Sequence, residues 1–223
     1  RETTDRNKAD VIIMNTCSVR ENADRRFFGN LGQLKRIKEE RPDVIIAVCG
    51  CMMQQQHIID TLKSKYTWVD LVFGTHNIHE FPKLLGNVLD ERKKVVDVWD
   101  QADEIVEGLP AQRKHPYKAF VNIMYGCDNF CSYCIVPYTR GRERSRDPEA
   151  ILEEVKALVA DGVLEITLLG QNVNSYRGQI RNQDKEEAGG GTVMDSSGEY
   201  VSFAGLIHML NEVEGCKEGY IKM

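Results

Sequence analysis

The sequence has little that marks a membrane-bound or secreted protein. None of its apolar runs approaches the roughly 18 residues that a bilayer-spanning helix needs, so no membrane partner is expected. Positive charge is not in surplus. Twenty-nine Lys and Arg face 34 Asp and Glu, for a net charge of −5. That argues against a uniformly basic nucleic-acid binder and leaves room only for a local basic patch. The five histidines are scattered and form no pair with metal-binding spacing. His57 and His208 fall inside helical stretches, where they are expected to pack. The chain does not open with Met or a signal-peptide pattern, and it stops at Tyr220-Ile221-Lys222-Met223, inside what reads as a strand. Both ends are therefore expected to be cuts in a longer protein. Seven cysteines is an odd number, and they group like metal ligands rather than like a disulfide framework. A reducing, cytoplasmic setting fits them better than secretion.

The 223 residues, 42% of them hydrophobic, suffice for one large or two modest domains. Three apolar runs read as buried strands: Val11 to Met14, Val44 to Val48 and Val69 to Phe73. Val95-Val96-Asp97-Val98 reads as a short fourth. Between them, 21–40 carries Phe27, Leu31 and Leu34 at helical spacing, 54–66 reads as a helix, and 77–90 as a helix broken by Pro82 and Gly86. Strands alternating with helices predict a parallel α/β sheet. The polar stretch 100–116 reads as a linker between an N-terminal domain, 1–99, and a second domain, 117–223. In that second domain 117–124 reads as a strand. Asp147-Pro148 starts a helix with the stripe Ile151, Val155, Leu158 and Val159. Leu164 to Gly170 is the next strand, 171–200 a long mobile loop, and Ser202 caps a last helix built on Phe203, Leu206, Ile207 and Leu210. Strand, loop, helix and strand in this order predict the first part of a (β/α) barrel, with functional loops at the C-terminal ends of its strands.

One such loop carries the strongest signal in the chain. Cys127, Cys131 and Cys134 stand at C-x3-C-x2-C spacing. Three thiolates from one short loop can hold three irons of a [4Fe–4S] cubane and leave the fourth iron open to a substrate or cofactor. A zinc site remains the alternative, with a fourth ligand from elsewhere. Two further cysteines, Cys17 and Cys51 (or Cys49), lie just past the ends of the first two strands, the edge where open parallel sheets bind ligands. They read either as small buried residues or as part of a second metal site.

The cysteine loop resembles the radical S-adenosylmethionine (SAM) superfamily, in which the open iron chelates SAM and the cluster's electron generates a 5′-deoxyadenosyl radical. Tyr133, just before the third cysteine, matches the aromatic residue that sits near the adenine in that family. The longer string IVPYTRGRERSR after Cys134, with Asn15-Thr16-Cys17-Ser18, Gly50-Cys51 and Leu168 to Asn172, is similar to the radical SAM methylthiotransferases, and within them to the tRNA-modifying MiaB-type branch. The resemblance implies that Cys127, Cys131 and Cys134 hold one [4Fe–4S] cluster. It also implies that Cys17 and Cys51 are two ligands of an auxiliary [4Fe–4S] cluster whose first ligand this sequence does not contain. Cys49 is then a non-ligand. The implied chemistry replaces C–H by C–SCH3 at position 2 of an isopentenylated adenine next to the anticodon. Its implied partners are a tRNA anticodon loop and an electron donor such as flavodoxin or ferredoxin, acting on a monomer.

Further candidates come from the residues themselves. Arg140, Arg142, Arg144 and Arg146 can contact phosphate or the SAM carboxylate, or they can pair with nearby acids. Gln171 and Asn172, past a strand end, are candidates for SAM contact or for loop capping. Cys216 reads as a partly buried thiol. Two other readings stay open: a radical SAM methylthiotransferase acting on threonylcarbamoyladenosine tRNA or a ribosomal protein, and a non-enzymatic metal-stabilised binding protein. The 223 residues alone are expected to be inactive.

Overall fold

Strand β1 (Val11–Thr16) runs into helix α1 (Ala23–Glu40) and strand β2 (Ile45–Gly50), and all six β1 residues pair in parallel with all six of β2, from Val11 with Ile45 to Thr16 with Gly50. A single turn of tight helix, Cys51–Gln54, leads into α2 (Gln56–Lys65), then β3 (Leu71–Phe73), α3 (Phe81–Glu91) and β4 (Val95–Asp97). The four strands form one parallel sheet in the order β1-β2-β3-β4. The structure is a computed structural model and describes residues 2–19, 22–101, 105–109, 111–179 and 200–216.

The period of two along each strand decides what each face meets. Ile46, Val48 and Val72 point to the face covered by Phe27, Leu31, Leu34 and Ile37 of α1 and by Ile58 and Leu62 of α2. Ile45, Ala47, Cys49, Leu71 and Phe73 point to the other face, against Leu84 and Val88 of α3. A sheet covered on both sides wants apolar residues at every position, which is why β2 reads as a continuous apolar run. Helix α3 is not broken at Pro82 or Gly86: Pro82 lies in its first turn, where its missing N–H has no helical partner to lose. The edge between α1, β2 and β3 is tied by Lys38, whose ammonium lies 2.9 Å from Asp70, while Asp70 also accepts the Ile46 N–H at 2.8 Å.

The later part of the chain forms β5 (Lys118–Asn122), β6 (Met124–Tyr125), α4 (Val136–Arg140), β7 (Arg144–Ser145), α5 (Pro148–Ala160), β8 (Glu165–Leu169), β9 (Arg177–Gln179), β10 (Tyr200–Ser202) and α6 (Phe203–Asn211). β5 and β8 pair in parallel from Lys118 with Glu165 to Asn122 with Leu169, with α5 between them in sequence, as a β/α unit requires. Asp147 caps α5 by accepting the Glu149 N–H at 2.9 Å, and Ser202 caps α6 by accepting the Gly205 N–H at 3.1 Å. Ala119, Val121, Ile151, Val155, Ile166, Leu206 and Leu210 share one core.

Three local expectations are corrected. The expected loop 171–200 contains β9 and the first residue of β10, which pair antiparallel, and Tyr176, whose ring is buried and whose hydroxyl donates to the Arg146 carbonyl at 3.0 Å. A run of polar residues hid two short strands because their outward positions are polar. Helix α4 and the β6–β7 pair were not expected, being only two to five residues long. His57 and His208 lie on exposed helix faces rather than packing inward. The glycine triplet at 189–191 and the strand expected at Tyr220 lie outside the described residues.

The chain falls into two compact units: Arg1–Glu104 with Phe130–Gly141, and Ile105–Asn129 with Arg142–Met223. Among the described residues no helix is long and apolar enough to cross a membrane.

Candidate iron–sulfur and cofactor sites

In the first unit, register sets the geometry. Thr16 is the partner of Gly50, so the residues that follow, Cys17 and Cys51, leave adjacent strands at the same level. Gly50 takes φ 101, a left-handed value that turns the chain sharply into the Cys51–Gln54 turn. A Cβ there would stand 2.4 Å from the Thr16 carbonyl oxygen. The Thr16 hydroxyl donates to the Cys49 carbonyl at 2.6 Å, and Gln55 Nε2 donates to Ser18 Oγ at 3.0 Å, so both strand ends are locked. Cys51 is buried and Cys17 half-buried. Cys49 faces the α3 core, and burial pushes its thiol up to about 11, so it stays protonated at neutral pH.

Sequence reasoning missed the amides that brace this edge. Gln54 Nε2 donates to the Trp99 carbonyl at 2.8 Å, and its Oε1 accepts the Thr75 N–H at 3.2 Å. Asn77 is fully buried, accepts the Gly74 N–H at 2.9 Å and donates to the Asp97 carbonyl at 2.8 Å. Two side-chain amides thus join the loops after β2, β3 and β4. The signal available in the sequence was that Gln54 and Asn77 each stand four residues beyond a strand end.

The three cysteines of the C-x3-C-x2-C loop differ in exposure: Cys127 is buried, Cys134 half-buried and Cys131 exposed, and none is in a disulfide. Gly126, at φ 77, turns the chain into the loop. Cys134 N–H donates to the Cys131 carbonyl at 2.9 Å, folding that part into a tight turn. Phe130 holds φ 45, costly for a residue with a side chain, by about 1–3 kcal/mol. Its ring meets Tyr138 edge-on at 5.9 Å. Tyr133 is 91% exposed. In the second unit the base of the loop is tied to the strand after it: Glu143 N–H donates to Asp128 Oδ1 at 3.3 Å, and Asp128 N–H donates back to Glu143 Oε1 at 3.3 Å.

The four arginines of the basic run separate. Arg146 is buried and structural, bonded to Glu107, Glu154 and the Asn122 carbonyl. Arg142 lies 3.5 Å from Asp128. Arg140 differs, because its Nε is buried with no hydrogen-bond partner among the described residues. Gln171 Oε1 is in the same condition, while Asn172 Nδ2 reaches Glu143 at 3.5 Å. Each of these orphaned buried atoms, the Arg140 donor in the first unit and the Gln171 acceptor in the second, carries a desolvation cost that a polar partner of its own would relieve.

Residues 121–212 match the Radical SAM superfamily, and residues 1–74 match Uncharacterized protein family UPF0004. The first of these matches places the segment 121–212, which begins six residues before Cys127, in the radical SAM superfamily. It is 55% identical over 208 residues to the tRNA-2-methylthio-N(6)-dimethylallyladenosine synthase of Clostridioides difficile (strain 630), covering 93% of this chain and 40% of that protein. It is 53% identical over 211 residues to the protein of the same name from Clostridium tetani, covering 95% of this chain and 43% of that one. A third, from Lachnoclostridium phytofermentans, is 50% identical over 214 residues, covering 96% and 43%. The chain therefore spans 40% to 43% of the length of these relatives.

The match of residues 121–212 implies SAM and iron–sulfur chemistry, and the residues present fit both groups. Three thiols outside any disulfide sit in one short loop, and Arg140 and Gln171 each present a polar atom that has no protein partner among the described residues. No three His, Cys, Asp or Glu side chains among the described residues converge on a single metal ion. A cubane does not require that, since each thiolate takes its own iron.

Proposed function

We propose that this radical SAM chain belongs to a tRNA methylthiotransferase that converts N6-dimethylallyladenosine next to the anticodon to its 2-methylthio derivative. The observation that carries the reading is 55% identity over 93% of the chain to a protein of that name, across a stretch that includes both cysteine sets. Residues 1–99 are read as the methylthiotransferase domain, 100–116 as a linker and 117–223 as the radical SAM domain.

In this reading Cys127, Cys131 and Cys134 hold the SAM-binding [4Fe–4S] cluster, and Cys17 and Cys51 are two ligands of a second cluster. The bound groups together supply one-electron removal of an aromatic hydrogen, the sulfur and the methyl group. The protein's own residues bind and orient. The Arg140 guanidinium offers a fork for the SAM carboxylate. Gln171 Oε1 offers an acceptor for an ammonium or hydroxyl. Tyr133, largely exposed, offers a ring face to the adenine. Asn172, engaged with Glu143, holds the loop that carries Gln171. Cys49 packs in the core and ligates nothing. A flavodoxin- or ferredoxin-type donor supplies the electron, and an anticodon-loop base, unstacked and splayed, enters the site.

Two measurements test this. Iron and sulfide analysis of the anaerobically reconstituted chain is expected to give about four irons at the Cys127 loop, whereas a single zinc would support the metal-stabilised binding protein instead. The chain is then grafted in place of the matching region of the Clostridioides difficile relative, and digested tRNA is analysed for 2-methylthio nucleoside. Bound iron with no such product from isopentenylated tRNA would sink the proposal.

A further inference from the structure

The turn that begins at Cys51 and the helix that follows Cys134 are linked by one residue. Thr75, in the loop after β3, donates its N–H to Gln54 Oε1 at 3.2 Å, and Gln54 is the last residue of the Cys51–Gln54 turn. The same threonine donates its hydroxyl to the Thr139 carbonyl at 3.2 Å, in α4. Thr139 is buried and in the same compact unit as Cys51, Cys131 and Cys134. Two hydrogen bonds thus run from the residue three beyond Cys51 to the residue five beyond Cys134.

We propose that Thr75 is a positioning residue that sets the register of the Cys131–Cys134 arm on the Cys51 turn. Three features of the chemistry favour this over incidental packing. Helix α4 has five residues and too few internal hydrogen bonds to hold itself, so its placement depends on outside partners. The Thr139 carbonyl lies in its last turn, where carbonyls have no helical donor, and the Thr75 hydroxyl supplies one. The Thr75 end of the link is stiff, because Gln54 is itself pinned at Nε2 to the Trp99 carbonyl and the neighbouring Asn77 is fully buried. Among the described residues the hydrogen bonds of Thr75 go to Gln54 and to the Thr139 carbonyl and to none of the expected ligands, so it acts through the backbone that carries them. The hydrogen-bonded link stands by itself, while its consequence for a cluster rests on the function proposed above.

The test compares Thr75→Val, which keeps the branched shape and loses the hydroxyl, with Thr75→Ser, which keeps the hydroxyl. Hydrogen exchange is followed in peptides covering 135–141 and, as an internal control, β2. Thr75→Val is expected to speed exchange at 135–141 about 2- to 13-fold, the factor corresponding to one ordinary hydrogen bond, with β2 unchanged and Thr75→Ser like the parent. Unchanged exchange at 135–141, equal acceleration in β2, or failure of serine to restore protection would each overturn the proposal. In the reconstituted chain, Thr75→Val is also expected to broaden the electron paramagnetic resonance signal of the reduced cluster at Cys127, Cys131 and Cys134, with serine restoring it. If the parent chain binds no cluster while the exchange results hold, the functional reading fails and the link stands.

Discussion

Arg146 Nη1 lies 2.7 Å from Glu154 Oε2, and the same guanidinium donates through Nε to Glu107 Oε2 at 2.7 Å and through Nη1 to the Asn122 carbonyl at 2.6 Å. The side chain is only 8% exposed. A residue that reads in sequence as part of a basic run is therefore a strut joining the ends of β5 and β7 to α5.

Replacing that strut should be costly. Arg146→Met leaves two carboxylates without a cation and a carbonyl without a donor, and is expected to destabilise the chain by about 3 kcal/mol. Arg146→Lys keeps the charge but not the fork and should lose less. Urea unfolding followed by circular dichroism measures both, and a loss below about 1 kcal/mol for methionine would show that the pair is not structural.

Gly50 should be irreplaceable. Alanine there meets both a left-handed φ of 101 and a Cβ contact of 2.4 Å with the Thr16 carbonyl. The expected loss is about 3 kcal/mol. A thermal melt within a degree or two of the parent would contradict it.

The cysteines should sort by place. Serine at Cys127, Cys131 or Cys134 is expected to remove about four irons per reconstituted chain. Cys49→Ala and Cys216→Ala should leave iron unchanged, because both side chains are buried in apolar cores. Iron loss in the Cys49 variant would show that this thiol is a ligand.

Gln171→Leu removes an acceptor that has no protein partner among the described residues. SAM affinity of the reconstituted chain, read by equilibrium dialysis, is expected to fall about tenfold with iron content unchanged. Unaltered affinity would return Gln171 to a loop-capping role.

Much of this was legible in the chain itself. The β-α alternation of the N-terminal unit follows from apolar runs long enough to be buried on both faces, and α5 and α6 from their stripes and from Asp147 and Ser202 as caps. The spacing of Cys127, Cys131 and Cys134 in one short loop is equally legible, and it is what the proposal of a cubane there starts from. These are properties of local periodicity and spacing, which a sequence carries whole.

What the tertiary structure decided is which polar groups find partners. Arg140 and Arg146 look alike in sequence, yet among the described residues the Nε of one has no hydrogen-bond partner, while the other guanidinium is consumed by two acids and a carbonyl. Gln54, Thr75 and Asn77 carry no motif, yet they brace the edge where Cys17 and Cys51 emerge. Partners 20 to 64 residues apart in the chain meet there. Their pairing depends on strand order and register, which no local pattern encodes.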